Sequence, residues 1–195
     1  TSWQWSSNPA TGVTITTSTS QNPTMTFANA GTYTISLTST NQFGNNTSTQ
    51  TITVNATPLV AASSQTVCTG NAASITASGA TTYSWNTGGT TATISVTPTV
   101  TTIYTVTGTS NGCSSTATST VTVISLPNAV AGNAGPYCAG QTIALTSSGG
   151  GTYSWSGPNG FTSTSQNPNI LSSTTAMTGT YSVVVTANGC STTAT

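Results

Sequence analysis

Four side chains in this sequence are equipped for covalent chemistry, the thiols of Cys68, Cys113, Cys138 and Cys190. A thiolate can attack an electrophile, ligate a soft metal or join a second thiol as a disulfide. Attack needs a base or a cationic neighbour to release the thiolate at neutral pH. The chain has no Asp, Glu, His, Lys or Arg among its 195 residues, so neither is available. A metal or redox pair calls for close spacing such as Cys-x-x-Cys, and no two of these cysteines stand so near each other. Disulfide formation is what remains, and it implies an oxidising compartment. Four cysteines allow three pairings, and the choice among them rests on how the surrounding elements repeat.

The missing charge excludes more than thiol catalysis. An ordinary soluble domain of this length carries about fifty Asp, Glu, Lys and Arg residues; this chain has none. Proton transfer at neutral pH relies on His, Asp, Glu or Lys, so the many hydroxyls have nothing to activate them, and the expectation is no enzyme. Calcium and magnesium take carboxylate oxygens, so no metal and no other cofactor is expected. Nucleic-acid affinity depends on Lys and Arg at phosphates, so no nucleic-acid partner is expected. No apolar run approaches the roughly 20 residues needed to span a bilayer, so membrane insertion is not expected either. In place of charge the chain has hydroxyls: Thr and Ser make up about two fifths of it.

The elements repeat along the chain. Cys68-Thr-Gly-Asn followed by Thr82-Tyr83-Ser84-Trp85 returns, 70 residues on, as Cys138-Ala-Gly-Gln followed by Thr152-Tyr153-Ser154-Trp155. Asn111-Gly112-Cys113-Ser114 returns as Asn188-Gly189-Cys190-Ser191 at an offset of 77, so a loop between Trp155 and Cys190 absorbs about seven extra residues. Ser20-Gln21-Asn22-Pro23 returns as Ser165-Gln166-Asn167-Pro168, and Gly31-Thr32-Tyr33 as Gly179-Thr180-Tyr181, which brings in an earlier unit. With Asn55 to Pro58 and Leu126-Pro127 as punctuation, the expected domains are 1–56, 57–125 and 126–195. The first begins at what would be a third strand, and the last stops inside its final strand. Either the segment is a window on a longer array, or neighbouring molecules add the missing strands.

Within each unit the apolar period is two, as in Tyr33, Ile35, Leu37 and in Tyr181, Val183, Val185, which marks half-buried strands. In the middle unit the expected strands are 59–67, 73–78, 82–86, 91–96, 102–108 and 114–124, with Asn111-Gly112 as a type I′ hairpin turn. No helical period is present. The expected fold is therefore all-β, tandem immunoglobulin-like β-sandwich domains in an elongated array. Repeat symmetry then favours Cys68 with Cys113 and Cys138 with Cys190, each joining the end of a first strand to the start of a last strand within one unit. Each bond would close a loop of about fifty residues and contribute about 3 to 4 kcal/mol on a chain-entropy account.

Residues Ser20 to Phe27, then Gly31 to Thr38 and Asn41 to Gly44, resemble the second half of a polycystic-kidney-disease (PKD) domain. The usual pattern there is Asn-Pro, a short strand, then Gly-Thr-Tyr and a long alternating strand. Such domains usually carry Trp-Asp-Phe-Gly-Asp-Gly, whereas Trp5 here is followed by Ser6-Ser7-Asn8-Pro9. The Cys-x-Gly, Tyr-x-Trp and Asn-Gly-Cys motifs of the later units resemble PKD-like and Ig-like repeats of large Bacteroidota cell-surface adhesins, gliding-motility adhesins among them. That resemblance implies a secreted, surface-anchored, repetitive setting rather than a reaction.

Trp5, Trp85 and Trp155 recur with the repeat and read as core plugs, leaving Trp3 and Phe161 as the aromatics outside the shared register that could stack on sugar. Tyr33, Tyr104 and Tyr181 open the long penultimate strand, where sandwiches place a tyrosine corner. Asn45, Asn46 and Asn55 lie in N-x-Ser/Thr sequons and are candidate glycosylation sites. Sheet edges are ordinarily guarded by charge, and a chain near zero net charge tends to associate. The expected function is thus a structural repeat of an extracellular filament, sheath or surface fibre, self-associating through neutral Thr, Ser and Asn surfaces. The alternative is a spacer in the stalk of a long adhesin that presents its ligand-binding domain elsewhere.

Overall fold

The structure, a computed structural model, describes all of residues 1–195. Its regular elements are strands, with two single 3-10 turns at Pro158–Gly160 and Thr175–Met177 and no α-helix. The first five strands are β1 (Ser2–Asn8), β2 (Val13–Thr16), β3 (Thr24–Phe27), β4 (Gly31–Asn41) and β5 (Gly44–Val54). Next come β6 (Ala61–Ala62), β7 (Gln65–Cys68), β8 (Ala73–Ser78), β9 (Thr82–Trp85), β10 (Thr93–Val96), β11 (Thr102–Ser110) and β12 (Cys113–Ile124). The last seven are β13 (Val130–Asn133), β14 (Ile143–Ser148), β15 (Thr152–Ser156), β16 (Thr162–Ser163), β17 (Asn169–Ile170), β18 (Ser182–Ala187) and β19 (Cys190–Ala194). The composition explains the choice of element, because β-branched Thr, Val and Ile are stiff at χ1 and suit a pleated surface. Alternation then decides the faces. In β8, Ala73, Ile75 and Ala77 are buried while Ser74, Thr76 and Ser78 are exposed.

The strands form paired sheets. The first pair is β1-β4-β5 with β2-β3, the second β10-β8-β6 with β7-β12-β11-β9, and the third β13-β14-β17 with β16-β15-β18-β19. These are tandem immunoglobulin-like sandwiches. The hairpin turns are where the sequence puts them: Asn111 and Gly112 have φ of 49° and 79°, and Asn188 and Gly189 have 50° and 80°, the two consecutive left-handed residues of a type I′ turn.

One expected strand differs. The stretch 59–67 is two strands in different sheets, β6 beside β8 and β7 beside β12. The chain changes sheet at Ser63 and Ser64, where hydroxyls hold it: Ser119 Oγ donates to the Ser63 carbonyl, and Thr120 N donates to Ser64 Oγ at 3.0 Å. After the switch β7 runs parallel to β12, with Cys68 opposite Ile124.

The residues gather into two compact units, Thr1–Ala61 with Ala77–Ala92 and Thr105–Ala117, and Ala62–Thr76 with Thr93–Tyr104 and Thr118–Thr195. The first unit holds the first pair of sheets, where Tyr33 and Ile35 are buried on β4 and the Phe27 and Tyr33 rings meet at 4.9 Å. The second unit holds the third pair, whose core is Leu145, Trp155, Ile170, Val183 and Val185. The second pair of sheets contributes strands to both units.

Candidate functional site

The cysteines are not joined as repeat symmetry suggested. Cys68 is bonded to Cys190, with Cα atoms 5.7 Å apart and a sequence separation of 122; Cys113 and Cys138 are free thiols. The strand directions explain the correction. Because β7 is parallel to β12, the end of β7 lies beside the end of β12, not beside its start. Cys113 opens this 12-residue strand and Ile124, the partner of Cys68, closes it. Some 36 Å of strand at ~3.3 Å per residue lies between, against a Cα separation of at most about 7 Å for a disulfide. The third pair of sheets has no strand parallel to β19, but it too keeps its two cysteines at opposite ends. Cys190 faces Ala187 at the far end of β18, while Tyr137 and Ala139, which flank Cys138, share a cleft with Tyr181 at the near end. In both repeats the two cysteines lie at opposite ends of the sandwich, and the bond that forms joins the strand end of one repeat to the hairpin of the next.

The recurring aromatics carry recurring hydrogen bonds. The indole Nε1 of Trp5 donates to the Ser20 carbonyl at 3.0 Å, that of Trp85 to Thr91 at 3.0 Å, and that of Trp155 to Gln166 at 3.2 Å. Trp85 and Trp155 are buried; Trp5 is half-buried. Each ring fills its sandwich while its single donor is satisfied by backbone, as a buried indole requires. Tyr33 Oη donates to the Asn29 carbonyl and Tyr181 Oη to the Met177 carbonyl, both at 2.9 Å and both four residues upstream. This is tyrosine-corner geometry. Tyr104 is buried too, and the carbonyl four residues before it, that of Val100, accepts from Thr102 Oγ1 at 2.7 Å.

Asn45 and Asn46 are exposed on β5. Asn55 differs, because its Nδ2, the atom a glycan would occupy, donates to the Asn111 carbonyl at 2.8 Å. Of the aromatics outside the repeat register, Trp3 is half-buried on β1, and Phe161 packs edge-on against Tyr181 with centroids 5.6 Å apart. Phe161 is therefore part of the third core rather than a platform for sugar. A cleft of about 360 Å³ opens beside that core, lined by Pro136, Tyr137, Leu145, Ser173 and Tyr181 among others. Its walls offer hydroxyl, amide and apolar surface.

The functional feature that sequence reasoning missed is the connection between repeats. The signal available for it was the serine pair Ser63-Ser64, where the first strand changes sheets and turns parallel to the last.

Residues 1–56 match the sequence model of the PKD domain. No curated protein matches the chain. Among solved structures it is similar to the titin I-band fragment I67–I69 at 14% identity, covering 98% of this chain and 85% of that one, with a TM-score of 0.45. Domains 3–5 of the extracellular part of Drosophila OTK align at 13% identity over 98% of this chain and 82% of that one, with a TM-score of 0.43. Three N-terminal domains of the outer capsid protein Hoc of bacteriophage RB49 align at 14% identity over 98% and 85%, with a TM-score of 0.38.

Proposed function

We propose that the chain is a structural repeat segment of an extracellular fibre, divided into repeats at 1–56, 57–125 and 126–195, whose copies associate through neutral strand surfaces. The observation that carries this reading is β5. It is the outer strand of its sheet, it is 11 residues long, and its first eight residues, 44 to 51, are all exposed. None of its residues is charged or proline. Long edges of this kind present a row of free N–H and C=O groups to any partner strand, and natural proteins normally guard them with Lys, Pro or bulges. An edge left open over such a length supports strand addition between copies. A disulfide supports an oxidising, secreted setting, and no helix is long and apolar enough to cross a membrane. The proposed role is passive, in keeping with a chain that has none of the His, Asp, Glu and Lys side chains on which proton transfer near neutral pH mostly relies.

Electron microscopy of the purified chain tests the proposal. The chain should form filaments with a regular lattice, and a Thr49→Lys, Thr51→Lys variant, which places cations on the open edge, should remain dispersed while keeping its β-sheet spectrum. Thin single-chain threads in both samples would overturn the fibre reading and favour a spacer in an adhesin stalk.

A further inference from the structure

We propose that the Cys68–Cys190 bond is one instance of a joint that recurs from repeat to repeat, and that the face around Cys138 is the open half of the next joint, taking the Asn-Gly-Cys hairpin of a further copy of the same repeat. The inference does not depend on how the β5 edge is used. Cys138 occupies the position of Cys68 in the repeat, and the backbone around the two is alike: Asn71 N donates to the Cys68 carbonyl at 3.0 Å, and Gln141 N to the Cys138 carbonyl at 3.2 Å. Gly70 and Gly140 follow with φ of 87° and 85°. The same turn thus presents the same thiol, and in one of its two occurrences the structure shows what sits on it, the hairpin that ends in Cys190. In the other, Cys138 is exposed.

The opposite half of the joint is visible at Cys113. Its Sγ donates to the Asn55 carbonyl at 3.7 Å. Asn55 stands three residues before Pro58, as Ile124 stands three before Pro127, and Ile124 is the residue flanked by Cys68 across the sheet. The hairpin carrying Cys113 therefore reaches the place beside the preceding repeat that corresponds to the one where Cys190 finds its partner.

Closing the joint converts two thiols to one disulfide. The two Sγ–H groups lose two protons and two electrons, which pass by thiol–disulfide exchange to a small-molecule disulfide such as oxidised glutathione, itself reduced to two thiols.

The experiment lengthens the full chain. Cys190 to Thr195 is equivalent to Cys113 to Thr118, so a second copy of residues 119–195 placed after Thr195 continues the repeat in register. Refolded in a glutathione redox buffer, alkylated and mapped by mass spectrometry, this chain should hold two disulfides, Cys68–Cys190 and Cys138 to the added copy's Cys190. Its remaining thiols, Cys113 and the added copy's Cys138, should alkylate. Replacement Cys138→Ser in the lengthened chain should leave the added copy's Cys190 open to alkylation. A Cys138 as reactive as in the original chain, or bonded to Cys190 of its own repeat, overturns the proposal. The original chain supplies a second test that needs no added repeat. In a Cys68→Ser variant the freed Cys190 should stay a thiol, since Cys138 lies at the other end of its sandwich; a Cys138–Cys190 bond there also overturns it.

Discussion

At the scale of single residues, the hydroxyls do the organising that charge performs in other proteins. Tyr33 and Tyr181 each tie the start of a central strand to a carbonyl four residues upstream. Phenylalanine at either position should keep the ring packing and lose one net hydrogen bond, about 1 kcal/mol, read as a lower urea midpoint at unchanged slope. A loss below about 0.3 kcal/mol would mean that solvent already satisfies the group. The thiols divide just as sharply. Without reductant, a small alkylating reagent should modify Cys113 and Cys138 and leave Cys68 and Cys190 untouched.

At the scale of elements, close backbone approach sets the limits. A Cβ at Gly151, whose φ is 105°, would stand 2.1 Å from the Thr186 carbonyl oxygen, where β15 meets β18. Gly151→Ala should therefore cost about 1–3 kcal/mol through left-handed strain and displacement of that strand, measured by thermal or urea unfolding. Much at this scale was legible in the sequence. β8 has the boundaries that alternation and flanking Gly and Asn predicted, and both Asn-Gly turns are type I′. The strand at 59–67 was legible as extended but not as divided, because its break depends on the Ser119 and Thr120 partners more than fifty residues away. The pairing of the cysteines turns on the same break. Repeat symmetry is satisfied equally by bonds within repeats and between them, and only the parallel run of β7 along β12 separates the two.

At the scale of the molecule, the consequences of neutrality are thermodynamic. Stability changes with pH only where folded and unfolded chains bind different numbers of protons. With no Asp, Glu, His, Lys or Arg, the side chains left to titrate are Cys and Tyr, which as a class do so above about pH 8. The unfolding free energy should accordingly be flat between about pH 4.5 and 7, with neither an acid-side loss from carboxylates nor a gain from histidine. Reduction should act where pH does not. Opening a bond that spans 122 residues releases chain entropy in the unfolded state worth about 4–5 kcal/mol, which a calorimetric scan with and without reductant would register.

In the proposed fibre, copies of this chain meet through uncharged, hydrogen-bonding strand surfaces. The most direct test of this contact is the mass of sedimentable fibre, confirmed by microscopy, as salt is raised from millimolar to molar at constant pH. Screening acts on charge, so the sedimented fraction should stay constant across the series. Fibres that dissolve as salt rises would contradict such a contact.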